Sequence, residues 1–165
     1  MDRASIGKIK MLITDVDGVL TDGRIWLDTD GEWKRMFSVI DGVGLKRVIE
    51  SGYQVGVITG AKSKDVQTRV KFLGIQHFYE GVKDKIPCYE EILSQTGLKD
   101  ENIAYIGDDF FDIPILKRCG FPASVPTGLE DVRVSANYVT ESLAGFGAVR
   151  EVCELLIKFG YYSLK

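Results

Sequence analysis

Short apolar runs that end in Asp, Gly or Thr alternate along this chain with longer stretches whose apolar positions recur three and four residues apart. Residues 9–14 form the first run, followed by "QVGVIT" (54–59), "IQHFYE" (75–80) and "NIAYIG" (102–107), with weaker runs in "FPASVP" and "ANYVT". Between them "GLKRVIES", "KDVQTRVKFLG", "DKIPCYEEILSQTG" and "FDIPILKRCG" keep a helical period and mostly stop at a glycine suited to a helix C-terminus. Runs this short and this apolar suit strands covered on both faces, and their alternation with helices predicts a parallel sheet between two helical layers. The expected fold is a doubly wound α/β domain occupying residues 1–165.

One stretch breaks the alternation. "GRIWLDTDGEWKRMFSV", residues 23–39, has two strand-like arms around Asp28-Thr29-Asp30-Gly31, and predicts a β-hairpin inserted after the first strand. It carries both tryptophans, Trp26 and Trp33. Either they pack back onto the domain, or hairpins of several subunits pack together, since exposed apolar arms mark interfaces.

Composition narrows the function classes. A chain of 165 residues with 45% hydrophobic and 27% charged residues is ordinary for a globular protein. A net charge of −3 gives no electrostatic footprint for nucleic acid or an anionic membrane, so no partner of either kind is expected. No window approaches the ~18 consecutive apolar residues of a membrane helix, and the N-terminal stretch lacks the apolar core of a secretion signal. Cys88, Cys119 and Cys153 are odd in number and lack C-x-x-C spacing, which fits reduced thiols. A soluble cytoplasmic protein is expected.

The chemistry is concentrated after the apolar runs. "MLITDVDGVLTDG", residues 11–23, brings Asp15, Asp17 and Asp22 to the end of a buried strand, where an unpaired carboxylate costs several kcal/mol or more. In open α/β sheets ligands bind beyond the carboxyl ends of the strands. The residues expected to converge there are Asp15 and Asp17, Thr59 and Gly60, Lys85, and Asp108 and Asp109 with Asp112. Such a set suits phosphoryl transfer through a carboxylate. A phosphate dianion and an Asp nucleophile repel, and Mg2+ bridges them. Asp15 would attack phosphorus, and Asp17 would serve as general acid and then general base. Thr59 and the amides near Gly18 and Gly60 would hold phosphate oxygens, with Lys85 balancing transition-state charge.

Taken singly, the same residues have plainer readings. D-x-D-G opens calcium loops, but position 12 counted from Asp15 is Trp26 where a bidentate Glu belongs. Lys85 alone would be a solvated helix residue, Asp112 a helix N-terminal acid and Thr59 a cap. His77, the only histidine, sits within a strand-like run and reads as structural.

In their order and spacing, "DVDGVLTDG", "VITG", the lysine of "GVKDK" and "YIGDDFFD" resemble the four motifs of the haloacid dehalogenase superfamily of aspartyl-phosphate enzymes. "LTDGRIWLDTDGEWKRMFSVIDGVGLK" and "GAVREVCELL" are further similar to the small capless branch that acts on 3-deoxy-D-manno-octulosonate 8-phosphate in lipopolysaccharide synthesis. The resemblance spans roughly residues 8–160. It implies a Rossmann-like fold without a cap domain, and a homotetramer held by the hairpins that closes each site with parts of a neighbour. It implies Mg2+ held by Asp15, by the backbone carbonyl of Asp17 and by Asp108, with Asp109 and Asp112 in support. It places Ser38, Val39, Ile40, Asp41 and Gly42, with Lys46, Gly60, Arg69 and Lys85, at the sugar acid and its phosphate. Two departures stand out: Lys46 replaces a common arginine, losing its fork, and Ala61 stands where arginine usually follows "ITG". Related phosphatases of nine-carbon keto sugar acids differ at that second place. A non-catalytic sugar-acid-binding module accompanying a cytidylyltransferase and a phosphomutase are the other readings; the reactive side chains of all four motifs argue against the first, and a capless site open to water against the second.

Overall fold

The computed structural model describes residues 6–161. Strand β1 (Met11–Thr14) is buried along its whole length. It is joined by β4 (Gln54–Ile58), β5 (His77–Tyr79), β6 (Ile103–Gly107), β7 (Phe121–Ser124) and β8 (Tyr138–Val139). The order across the sheet is β5-β4-β1-β6-β7-β8, and every neighbouring pair is parallel. The doubly wound α/β fold expected from the alternating pattern is the one observed, and no cap domain is present among the described residues.

The helices are α1 (Val39–Glu50), α2 (Lys64–Leu73), α3 (Lys85–Thr96), α4 (Ile113–Leu116), α5 (Glu130–Val134) and α6 (Ala148–Phe159). Because side chains alternate along a strand, β1 feeds two cores. Leu12 packs with Leu45 and Val48 of α1, Val66 and Val70 of α2, and Val152 and Leu156 of α6. Met11 and Ile13 face the other way, onto Tyr89 and Ile92 of α3, Ile115 of α4 and Val132 of α5. The glycine stops fall as expected, with α2 and α3 ending at Gly74 and Gly97.

Helix α1 begins earlier than the pattern "GLKRVIES" suggests. Ser38 caps it, its hydroxyl accepting from the amide of Asp41 at 3.3 Å, so Val39 belongs to the helix and not to the hairpin. Helices α5 and α6 had no counterpart in the periodicity reading. In α6 the signal was present, since Ala148, Val149, Val152, Cys153 and Leu156 form one buried face.

The insertion after β1 is a hairpin of β2 (Trp26–Leu27) and β3 (Trp33–Lys34), antiparallel, with Leu27 opposite Trp33. Its turn is closed by the amide of Gly31 donating to the carbonyl of Asp28 at 3.0 Å. Among the described residues the tryptophans are only half covered: Trp26 is 44% and Trp33 51% exposed, beside exposed Ile25, Leu27 and Met36.

Candidate active site

The chain runs outward from β1 through β4 to β5, then returns to place β6 on the other side of β1. At this switch point the loops after β1 and β6 part and leave a crevice. Asp15 follows β1, and Asp108 follows β6; Thr59 follows β4, and Lys85 opens α3. A cleft of about 570 Å³ is lined by Asp15, Asp17, Thr59, Gly60, Ala61, Lys83, Lys85, Asp109 and Phe111, among others. Most of the expected catalytic set therefore meets in one place.

At its floor Lys85, only 4% exposed, bridges two carboxylates. Its Nζ lies 2.8 Å from Asp15 Oδ2 and 2.6 Å from Asp112 Oδ1. Burial alone would pull the Lys85 pKa down, but Asp15 and Asp112 outweigh it and the net shift is upward. Asp112 is saturated. Its Oδ1 also accepts from the hydroxyl of Tyr105 at 2.5 Å, and its Oδ2 from the amides of Asp108 and Asp109 at 3.0 and 3.1 Å. Tyr105 was not singled out from the sequence, because a tyrosine within an apolar run looks like a core residue. Its hydroxyl is what anchors the floor of the site from the second core.

Asp15, Asp108 and Asp112 each bring a carboxylate oxygen within 4.8 Å of the others. Since the oxygens of Asp112 are spoken for, the pair with capacity left is Asp15 and Asp108. Asp108 Oδ1 is buried and has no hydrogen-bond partner among the described residues, which in a folded protein calls for a cation or water. Burial raises the Asp108 carboxyl to about 8, with Asp15, Asp112 and Asp109 adding to the shift. Burial likewise raises Asp15 to about 6, opposed by Lys85. Gly18 leaves the space. A Cβ there would fall 2.1 Å from Asp108 Oδ2, and the residue sits at a φ of +81°. Oxygen donors, surplus negative charge and an orphaned carboxylate oxygen fit a hard divalent cation such as Mg2+.

The side chain of Asp17 stands apart from that cluster. It is held by Arg35, whose Nε donates to Asp17 Oδ1 at 2.6 Å and whose Nη2 donates to Oδ2 at 3.0 Å. Asp22, the third acid of the opening stretch, is partly buried and pairs with exposed Arg24. Thr59 is buried, and its hydroxyl accepts from the amide of Ala61 at 3.1 Å. Asp109 lines the cleft while its Oδ1 accepts from the amide of Phe110 at 2.6 Å.

The residues expected at the sugar acid lie elsewhere, apart from Gly60 and Lys85. Ser38, Asp41, Gly42, Lys46 and Arg69 gather around the start of α1 and the side of α2. Ser38 caps α1, and its carbonyl accepts from Arg69 Nη2 at 2.7 Å; Gly42 gives room to that guanidinium. Lys46 Nζ lies over the ring of Phe72, 4.1 Å from its centroid. Asp41 is buried and accepts from the amides of Gly147 and Arg150 at 3.1 and 2.8 Å, fastening α6 to α1. Val39 and Ile40 are exposed on the outer surface. Within one chain none of these seven lines the cleft. His77 shares a 3.1 Å contact with Gln54 Oε1 across β4 and β5, as a structural residue would.

The fold and the site together define a hydrolase of the doubly wound, aspartate-dependent kind, and residues 30–124 match the model of the haloacid dehalogenase-like hydrolases. The chain belongs to that family. It is 40% identical over 154 residues to the 3-deoxy-D-manno-octulosonate 8-phosphate phosphatase of Escherichia coli, covering 93% of this chain and 82% of the relative. The crystal structure of 3-deoxy-D-manno-octulosonate 8-phosphate phosphatase from Moraxella catarrhalis, in complex with magnesium ion, phosphate ion and KDO, superimposes with a TM-score of 0.93. It is 38% identical, over 98% of this chain and 94% of that one. The cobalt-bound phosphatase of the same kind from Haemophilus influenzae gives 0.89 at 36% identity, over 93% and 90%.

Proposed function

We propose that the chain is a Mg2+-dependent phosphatase that hydrolyses 3-deoxy-D-manno-octulosonate 8-phosphate to the free sugar acid and phosphate, serving lipopolysaccharide synthesis. The single observation that carries the chemistry is Asp15, placed at the switch point with Lys85 at 2.8 Å and with a carboxylate oxygen within 4.8 Å of one of Asp108. The identity to phosphatases named for this substrate carries the substrate.

In this reading the Asp15 carboxylate forms a bond to phosphorus as the bond to the sugar oxygen breaks, and Asp17 gives its proton to the departing alkoxide. Water then attacks the aspartyl phosphate, Asp17 takes the water's proton, and Asp15 is released with inorganic phosphate. Asp15, the Asp17 carbonyl and Asp108 would hold Mg2+, which neutralises the phosphate's charge and draws it towards the nucleophile. Lys85 and the Thr59 hydroxyl stabilise the equatorial oxygens, with Asp109 and Asp112 orienting the loop after β6. Ser38, Val39, Ile40, Lys46 and Arg69 would serve the substrate only from another subunit's side, which ties specificity to assembly, whereas buried Asp41 and Gly42 would act by holding the start of α1 in place. The exposed arms Ile25, Trp26, Leu27 and Trp33 support a homotetramer joined through the hairpins. Unpaired Cys88, Cys119 and Cys153 suit the cytoplasm, and among the described residues no helix is long and apolar enough to cross a membrane.

Magnesium-dependent phosphate release from 3-deoxy-D-manno-octulosonate 8-phosphate, beside other sugar phosphates and an Asp15→Asn control, tests the reading. Strong preference for that substrate, lost in the variant, is the expected result; no turnover of any ester would overturn it. A nine-carbon keto sugar acid 9-phosphate is the second substrate to compare, because Ala61 lines the cleft with a single methyl group and leaves room there. Sedimentation of the wild type and of Trp33→Glu checks the assembly, with a smaller species expected from the variant.

A further inference from the structure

Arg35 takes no part in the chemistry above, yet it is among the most confined charges on the molecule. Its side chain is 7% exposed, although it leaves the return arm of a largely exposed hairpin directly after β3. The guanidinium uses three nitrogens. Nε and Nη2 grip the two oxygens of Asp17 at 2.6 and 3.0 Å, and Nη1 donates to Ser63 Oγ at 3.0 Å and Asp65 Oδ1 at 3.4 Å, just ahead of and within the first turn of α2. Ser63 in turn donates to Asp65 Oδ1 at 2.6 Å. Besides Arg35, the side chain of Asp17 has, among the described residues, only a 3.4 Å contact with the hydroxyl of Thr21.

Two parallel hydrogen bonds to a carboxylate fix both its position and its plane, which a single contact cannot do. A planar fork also loses less freedom per bond than a flexible ammonium. Asp17 sits on the wall of the cleft, so whatever fixes its plane fixes which way its oxygens face a bound phosphate ester.

We propose that Arg35 is the positioning residue for Asp17: it sets the plane of the carboxylate for taking up the proton of the attacking water and makes that setting depend on the hairpin's return arm being seated against α2. The role rests on Asp17 being the acid and base of the phosphatase reading. Through it, anything that holds the hairpin in place, a second copy of this chain included, also holds the proton-transfer group.

The test is a double-mutant cycle of Arg35→Ala and Asp17→Asn, read in two ways. Steady-state kinetics with a sugar phosphate that the wild type turns over should show kcat of Arg35→Ala down by tenfold or more with KM within about twofold, since no substrate contact is removed. Adding Arg35→Ala to Asp17→Asn should cost little more, because the two act as one unit. Arg35→Lys, which keeps the charge without the fork, should recover only part of kcat, and it stands in if the alanine variant fails to fold. A raised KM with unchanged kcat would make Arg35 a substrate-anion contact, and an unchanged or raised kcat would mean that it does not position Asp17 for turnover; either overturns the proposal. Thermal midpoints of the same four proteins read the pair without substrate. Non-additive midpoints are expected, and additive ones overturn the clamp even if the wild type hydrolyses no ester at all, an outcome that would by itself defeat only the phosphatase reading.

Discussion

Replacing Lys85 with methionine removes one charge from the most crowded electrostatic point in the molecule while keeping most of the side-chain volume. The helix itself should survive, because the cap of α3 is Asp84, whose carboxylate accepts from the amide of Ile86 at 3.1 Å. What changes is the company of Asp15 and Asp112, left facing each other without the cation that lies 2.8 and 2.6 Å from them. Losing one partner of a buried ion pair costs about 3–5 kcal/mol. At roughly 2–4 °C per kcal/mol for a chain of this size, the midpoint should fall by about 6–20 °C without metal. Mg2+ restores positive charge to the same carboxylates, so it should raise the midpoint of the variant more than that of the wild type. Turnover should fall by about 10²–10³, the usual cost of removing one preorganised donor from a developing charge. Differential scanning fluorimetry in EDTA and in Mg2+, with phosphate-release kinetics, measures all three. A midpoint within 2 °C of wild type and a kcat within tenfold would refute the view that Lys85 is the central cation of the site.

Three further outcomes are expected. Asp108, raised to about 8, and Asp15, raised to about 6, bind protons more tightly folded than unfolded; metal-free stability should therefore be highest below about pH 4 for these groups and decline as pH rises towards 8. Thermal midpoints in EDTA should show that decline, Mg2+ should flatten it, and calorimetry near pH 7 should show protons released on Mg2+ binding. Gly18→Ala should lower both Mg2+ affinity and turnover by at least tenfold, since the new methyl falls on Asp108 and φ of +81° strains any side chain; a metal titration with wild-type affinity would contradict it. Asp41→Ala should destabilise the protein by about 1–3 kcal/mol in urea unfolding, because the amides of Gly147 and Arg150 lose their buried acceptor.

Much of this molecule is decided locally, and the sequence shows it. A strand buried on both faces must be a contiguous apolar run, so β1, β4 and β6 were legible to within two residues at either end, and glycine marked the ends of α2 and α3. Polar side chains following such runs converge at one sheet edge, so Asp15, Asp108, Thr59 and Lys85 are gathered by the pattern alone. Short elements carried too little pattern: α5 has five residues and β8 two. Only the tertiary structure decided which acids are free and which are spent. Asp112 is saturated by Lys85, Tyr105 and two amides, whereas Asp108 keeps an unpartnered oxygen. Asp17 is gripped by an arginine 18 residues away, and Asp41, expected at the substrate, anchors an amide 109 residues away. The reason is physical: apolar periodicity is written in neighbouring residues, while the partner of a buried charge is chosen by whichever donors the packed layers bring within about 3 Å of it.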